Sequence, residues 1–454
     1  MPAFASLKCE AQAFLIRQRT PQLHSGLKPG GAIGSMVGLS QNSTRCTCPS
    51  FYDSLILNYK KTGVAHGGER LGEKLVILSE EQSALREASQ RFARERLLPA
   101  YQHRERSRRL EADLLHDLGA LGFLGMDISE AHGGMGAAAV TTGLVIEALA
   151  YGDFNIGSLC VTQSLCGALV ERHAHREIAA AWLPRVCRGE TILALALTEA
   201  GAGSDAGALR LSARRDGSSY VLNGEKNSVT FSDTAGGYIV FARIEGGKGS
   251  GITAFLVPSD LPGVKAGRFS DVGGHATGRG PVFFDDVRIP CECRLGDEGA
   301  AFSKVLAGFD YSRALIALQC IGAAQASVDE TWAYAKEREA FGRPIAQFQG
   351  VTFPLVEGET LLAAGRQLSL HALSLRDEGA PHTVEAAMVK WFGPKTAFDV
   401  IHQCLLTFGH YGWSMDLPHQ QRLRDVMGLE IGDGTAGIMK MIVARARAGR
   451  AANI

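Results

Sequence analysis

The hydrophobic period of this chain changes twice, and that constrains its fold more than any single motif does. From about residue 79 to 190 apolar residues recur at helical spacing, broken by the Gly-rich turn His132-Gly133-Gly134-Met135-Gly136. Ser79-Glu80-Glu81-Gln82 reads as a capping box opening this stretch, and Pro99 is expected to close its first helical run. The period then shortens. Ile192–Thr198 is a wholly apolar run bounded by glycine, as in a buried strand, and Leu209, Leu211 and Ala213 alternate with polar residues. Tyr220–Leu222, Tyr238–Arg243, Ile252–Val257 and Val282–Val287 follow, with Asp216-Gly217, Asn223-Gly224 and Gly246-Gly247 read as turns between them. From Ala300 to Ala448 the spacing is helical again, with few breakers. Helices, then strands, then helices imply an α+β chain with a helical segment at 76–190, a β segment at 191–298 and a second helical segment at 299–454.

Composition excludes several classes. The 454 residues are 46% hydrophobic and carry 47 basic against 47 acidic side chains. A dedicated nucleic-acid binder would show a basic excess, so no nucleic-acid partner is expected. No stretch approaches the ~18 apolar residues of a membrane span. The ten cysteines include no CxxC pair, and the C-x-C pairs Cys46/Cys48 and Cys291/Cys293 lack zinc-site spacing, so free thiols and no metal are expected. Residues 1–75 stand apart: 1–52 hold one acidic residue, Glu10, against five basic ones. They read as a transit peptide, which would send the protein to the mitochondrial matrix, or as a poorly ordered extension or translated sequence upstream of the true start, with a soluble protein of the bacterial cytoplasm then expected.

Gly201-Ala202-Gly203-Ser204-Asp205-Ala206 matches a dinucleotide fingerprint, G-x-G-x-x-A. That fingerprint needs a helix opening at the loop, and here the following residues alternate like a strand. A nest of backbone N–H groups with the Ser204 hydroxyl remains a plausible ligand contact.

The loop gains meaning from its company. Leu197-Thr198-Glu199-Ala200-Gly201-Ala202-Gly203-Ser204-Asp205 is followed by Asn223-Gly224-Glu225-Lys226, Phe284-Asp285-Asp286-Val287-Arg288-Ile289-Pro290 and Arg338-Glu339-Ala340-Phe341-Gly342-Arg343-Pro344-Ile345, leading to Phe348-Gln349. In order and spacing this resembles the acyl-CoA dehydrogenase flavoproteins over about residues 78–450. The resemblance implies an N-terminal α-helical domain, a β-barrel-like middle domain and a C-terminal four-helix bundle. It also implies FAD, an acyl-CoA substrate, an electron-transferring flavoprotein as acceptor, and a homotetramer active in fatty or alicyclic acid catabolism.

Residue by residue, the resemblance places Thr198 at the pyrimidine edge of the flavin, with Gly203 and Ser204 beside cofactor and thioester. Fixed donors there would meet the negative charge that gathers as hydride arrives. Lys226-Asn227-Ser228-Val229-Thr230 matches K-x-W-I-T, with Thr230 expected near the flavin N5 and Ser228 in place of the covering tryptophan. Arg338, Phe341 and Gln349 match residues that hold the diphosphate and adenosine from a neighbouring subunit. Gly409-His410-Tyr411-Gly412 resembles the adenosine-side turn, though Leu406 replaces its usual glutamine. Asp310 and Arg313 match positions that meet the CoA nucleotide, and Ser312 stands where some relatives place their catalytic Glu.

The usual base loop reads Ile431-Gly432-Asp433-Gly434-Thr435, so Asp433 occupies the position of the family's Glu, flanked by Gly434 on the substrate side and Thr435 on the cofactor side. An ordinary Asp, with a pKa of ~3.9, is a poor base in water, and burial would raise it. It is also one methylene shorter than Glu, roughly one ångström of reach. Some relatives acting on alicyclic acyl-CoAs resemble this chain in using Asp there. The alternative for Asp433 is the N-cap of the last helix; Asp127 and Asp153 are the other acids that could act with it or serve as base in its place, and for both of them the alternative is a turn or cap role. At the level of function the alternatives are an acyl-CoA oxidase or flavin monooxygenase on the same fold, and a flavin-binding protective protein without dehydrogenase activity.

Overall fold

The protein's structure, a computed structural model, describes residues 78–246 and 251–449. The expectations for 1–75 and for Cys46/Cys48 lie outside the described residues.

Helix α1 (Glu80–Phe92) opens with the expected capping box: Ser79 Oγ accepts from Gln82 N, and Gln82 Oε1 accepts from Ser79 N, both at 3.1 Å. Pro99 does not close the helical run. The chain passes through a π turn (Ala93–Leu97) and a 3-10 turn (Leu98–Ala100) straight into α2 (Tyr101–Ser107). Pro99 sits in the first turn of that new segment, where a missing N–H breaks no bond. After α3 (Ala112–Ala120), α4 (Ala139–Gly152) and α5 (Phe154–His173) are apolar on most faces and bury most of their residues; α6 (Arg176–Cys187) completes the layer. Such all-round apolarity marks helices enclosed by protein.

The middle segment is one mixed eight-stranded sheet. Its strands are β1 (Leu193–Ala196), β2 (Ser212–Asp216), β3 (Ser219–Thr230), β4 (Gly237–Ile244), β5 (Ile252–Pro258), β6 (Val264–Ala266), β7 (Arg279–Pro290) and β8 (Arg294–Leu295). The order is β6-β7-β3-β2-β4-β5-β8, with β1 and β2 both parallel to β4 and the other pairs antiparallel. Asn223-Gly224 is not a turn. The strand runs on through it, with a register shift against β7 between Leu222 and Gly224. Gly224, at φ 135°, lies so close to Leu211 that an added Cβ would be 3.0 Å from its Cα, so the glycine serves a bulge. A second shift, between Lys226 and Val229, puts Ser228 at φ 60° two residues before Thr230.

The third segment begins with the long α7 (Ala301–Glu337). A hairpin of β9 (Glu339–Ala340) and β10 (Arg343–Pro344) leads to α8 (Gln349–Asp377), α9 (Thr383–Thr407), a 3-10 turn (Gly409–Trp413), α10 (His419–Ile431) and α11 (Ala436–Ala448). Cys320, Ile321 and Ala324 of α7 pack with Leu355 and Leu362 of α8, Val400 and Ile401 of α9 and Val426 of α10 in one buried cluster. Another cluster runs from α4 and α5 through the sheet to Tyr311, Leu315 and Leu318 of α7, so all three segments share a core.

Candidate active site

The glycine loop is built without a helix. Glu199 and Ala202 bridge across its tip, and only a 3-10 turn, Ala206–Ala208, follows. The Rossmann geometry is therefore absent, because no α-helix opens at the loop. Gly201 and Gly203 have open space where a Cβ would stand, and Ser204 is exposed. A planar ligand can approach this backbone closely.

A buried ion pair fixes the loop against β3. Lys226 is fully buried; its Nζ donates to Glu199 Oε1 at 2.7 Å and to the Leu197 carbonyl at 3.0 Å. Glu199 Oε2 accepts from Arg210 N at 2.6 Å, and Oε1 also accepts from Leu211 N at 2.9 Å. Burial opposes its charge, yet these donors hold Glu199 below the usual carboxylate range. Burial pulls Lys226 down to about 8, against the pull of Glu199. Beside the pair, Asn227 N donates to the Thr198 carbonyl at 2.7 Å, which ties Thr198 to the segment carrying Ser228 and Thr230. Where the resemblance places an indole, the Ser228 hydroxyl accepts from Arg279 Nη1 at 2.9 Å. Arg279 is clamped by Asp271 at 2.6 and 2.9 Å and lies over the Phe269 ring.

Asp433 sits in the turn between α10 and α11. It is half-buried and has φ 55°, followed by Gly434 at φ 102°. It is not the helix cap. Thr435 fills that role, its hydroxyl accepting from Ile438 N. Ser312 Oγ of α7 donates to Asp433 Oδ2 at 3.3 Å, so the two positions at which the resemblance expects a base lie side by side. Burial pushes the Asp433 carboxyl above its ordinary range, against the positive charges of Lys390 and Arg313 and the Ser312 hydroxyl. Arg313 pairs with Asp310 at 2.7 Å, and Thr383 donates to the other Asp310 oxygen at 2.6 Å.

The remaining candidates separate cleanly. Asp153 is a cap, as the turn-or-cap alternative has it: its Oδ1 accepts from Asn155 N at 2.8 Å, and its Oδ2 is held by Arg104 Nε at 2.6 Å, both fully buried. Those bonds leave it no freedom to act as a base. Asp127 lies in the Met126–Ile128 stretch; burial pushes its carboxyl up, and Tyr311, Ser164 and Arg376 stand around it. Arg338 ends α7 and starts the hairpin whose tip is Phe341, 95% exposed with φ 53° beside Gly342 at φ 77°. Gln349 opens α8, also exposed. A bulky residue in the left-handed region at an exposed tip is costly by itself. Gly409 (φ 61°) and Gly412 form a separate tight turn after α9. Sequence reasoning missed Lys390, which lies under the Asp433 turn; its signal is a lone lysine inside the apolar run Ala386-Ala387-Met388-Val389-Lys390-Trp391-Phe392.

The seven described cysteines, including Cys291 and Cys293, are free thiols, and the described residues hold no metal-ligating cluster. Among them no helix is long and apolar enough to cross a membrane.

Three family models match the chain in order: the acyl-CoA dehydrogenase N-terminal domain at 79–190, the middle domain at 194–287 and the C-terminal domain at 300–447. A short-chain specific acyl-CoA dehydrogenase of Clostridium acetobutylicum is 31% identical over 369 residues, 81% of this chain and 97% of that protein. Butyryl-CoA dehydrogenase of Megasphaera elsdenii superposes with a TM-score of 0.78 at 29% identity, over 82% of this chain and 99% of that one. Glutaryl-CoA dehydrogenase of Mycobacterium smegmatis, solved in complex with FADH2, gives 0.79 at 28% identity, over 83% and 97%. The chain belongs to the acyl-CoA dehydrogenase family. It is an oxidoreductase acting on CH–CH bonds, and its cofactor is FAD. The open glycine loop and the tethered Thr198–Thr230 segment fit such a group.

Proposed function

We propose that the enzyme desaturates an acyl-CoA thioester between Cα and Cβ, with Asp433 taking the α-proton. FAD, when bound, supplies the acceptor for the β-hydride. The observation that carries this reading is the Asp433 turn: a carboxyl kept out of any ion pair of its own, raised by burial, and oriented by Ser312. A raised carboxylate is a stronger base than a solvated one, and the neighbouring cations keep part of it ionised. Thr198 and Thr230 line the flavin edge, Gly203 and Ser204 stand beside flavin and thioester, and the Asp310–Arg313 pair faces the CoA nucleotide. Thr435 both caps α11 and borders the cofactor, while Gly434 keeps the turn open toward substrate. Arg338, Phe341, Gln349, Gly409 and Gly412 reach FAD of a neighbouring subunit in a homotetramer, which accounts for the exposure of the Phe341 hairpin. Electrons leave to an external electron-transferring flavoprotein. The shorter reach of Asp433 favours bulkier, alicyclic acyl groups over the straight chains that the relatives' names specify.

The test is anaerobic flavin bleaching with a panel that includes butyryl-, glutaryl- and cyclohexanecarboxyl-CoA. Asp433→Asn is expected to slow bleaching by about 10²–10⁴-fold while leaving enoyl-CoA binding nearly unchanged. Near-normal bleaching in that variant would remove Asp433 as the base and bring Asp127 forward.

A further inference from the structure

We propose that Lys390 is a positioning residue for Asp433, an ammonium beneath the turn that fixes its shape and keeps its carboxylate charged. This rests on the reading of Asp433 as the base. Lys390 belongs to α9 and is 1% exposed, among Ala386, Ala387 and Val389, which are fully buried. Its Nζ donates to the Leu429 carbonyl at 2.7 Å and to the Gly434 carbonyl at 3.1 Å. These acceptors flank Asp433 in sequence. Leu429 O belongs to the last turn of α10, where carbonyls lack partners within the helix and a cation is favoured. Gly434 O is the first carbonyl beyond the base.

One amine therefore ties the end of α10 to the start of α11, across a turn in which two consecutive residues have positive φ. Such a turn persists only where its surroundings over-determine it. The apolar run would accept leucine or methionine at 390 at no desolvation cost, so a buried lysine implies work that only a cation or a donor can do.

The charge has a second target. Facing the Asp433 carboxyl are Lys390 of α9, Arg313 and Ser312 of α7, and the Cys166 thiol of α5. Arg313 is partly neutralised by Asp310. Around Lys390 itself, Asp433, Cys320 and Glu430 favour its charge and Arg313 opposes it, while burial pulls its pKa down. Lys390 is thus the cation near Asp433 that is bonded only to neutral carbonyls, and its field is not cancelled by a carboxylate of its own.

The sign follows. Without the Lys390 charge, burial of Asp433 is less opposed, its pKa rises, and the ionised fraction at a given acidic pH falls. Holoenzyme is prepared as wild type, Lys390→Met, Lys390→Gln and Asp433→Asn. The rate of anaerobic flavin reduction by the best acyl-CoA of the panel is followed against pH, with enoyl-CoA affinity and flavin content read in parallel. The acid limb of the profile should move upward by about one pH unit in Lys390→Met, a tenfold loss of rate on the limb. Lys390→Gln, which can keep a carbonyl contact but not the charge, should move the limb equally while retaining more of the plateau rate. A uniform loss of rate with an unmoved limb in both variants would overturn the proposal and leave Lys390 a purely structural residue.

Should either variant fold too poorly for kinetics, urea unfolding of the double variant Lys390→Met/Asp433→Asn decides. Removing both charges should destabilise less than the sum of the two single changes, and simple additivity would overturn the electrostatic role. Normal activity in Asp433→Asn would instead sink the base assignment, an outcome separate from the failure of Lys390.

Discussion

Two buried lysines hold the two halves of this active site, and they are used in opposite ways. In the sheet, Lys226 donates directly to the Glu199 carboxylate; in the bundle, Lys390 donates only to carbonyls and leaves Asp433 unbonded to any cation. The first arrangement holds Glu199 below the usual carboxylate range, while Asp433 stays above it. A carboxylate bonded to a buried ammonium is fully committed to structure. One that only feels a nearby ammonium keeps its lone pairs for a substrate proton.

The comparison is broken most forcefully at the sheet. Glu199→Gln leaves Lys226 buried without its counter-charge, and losing one partner of such a pair costs about 3–5 kcal/mol. The same change loosens the Thr198 loop. We expect a large drop in the urea midpoint together with loss of bound flavin on gel filtration. A variant that keeps both would show that the pair does not hold the loop.

A third carboxylate sharpens the series. Asp425 of α10 is buried with neutral donors only: Gly274 N at 2.6 Å, Tyr101 OH at 2.6 Å and Asn155 Nδ2 at 3.4 Å. Burial drives its pKa up to about 7, helped by the charges of Glu105 and Asp153 and resisted by the Gly274 and Tyr101 donors. A group raised in the folded state contributes stability below its unfolded pKa and loses it as pH climbs through the folded one. The window runs from the ordinary aspartate value of 3.8 to about 7. Asp425→Asn removes that loss, so its stability relative to the parent should improve by roughly 2 kcal/mol between about pH 5 and pH 8. Parallel pH curves for the two proteins would refute the assignment.

How much of this was legible in the sequence depends on the range of the interaction. The helix–sheet–helix order follows from period alone, and the Ser79 cap from four consecutive residues. The family motifs expect Thr198 and Thr230 around one flavin, and the Asn227–Thr198 hydrogen bond ties the two segments that carry them. Reading Asn223-Gly224 as a turn failed because a bulge and a turn ask for the same residues, and only the β7 partner distinguishes them. Pro99 misled because proline marks the start of a helical segment as well as its end. The Asp433 cap alternative fell to Thr435, two residues on, a choice that depends on how the turn winds. Lys390, Asp425 and the Arg104–Asp153 pair were invisible because each acts on elements distant in sequence.

The smallest expected effect tests whether burial, and not merely charge pairing, makes the sheet lysine matter. Arg279 and Asp271 form a better-shaped pair than Lys226 and Glu199: two near-parallel bonds at 2.6 and 2.9 Å, with the guanidinium also over Phe269. Yet the two side chains are 44% and 22% exposed, so water competes for both ions and salt screens them. Asp271→Asn should therefore cost only about 0.5–1 kcal/mol, because the amide still offers one acceptor to the guanidinium and the freed charge is solvated. The cost should shrink further when urea unfolding is repeated at about 1 M salt, where the screening length is ~3 Å. The Glu199→Gln penalty, arising from a desolvated ammonium, should hardly respond to the same salt. If both penalties fell together with ionic strength, the distinction between a buried and an exposed pair would fail, and Lys226 would have to be regarded as an ordinary surface partner.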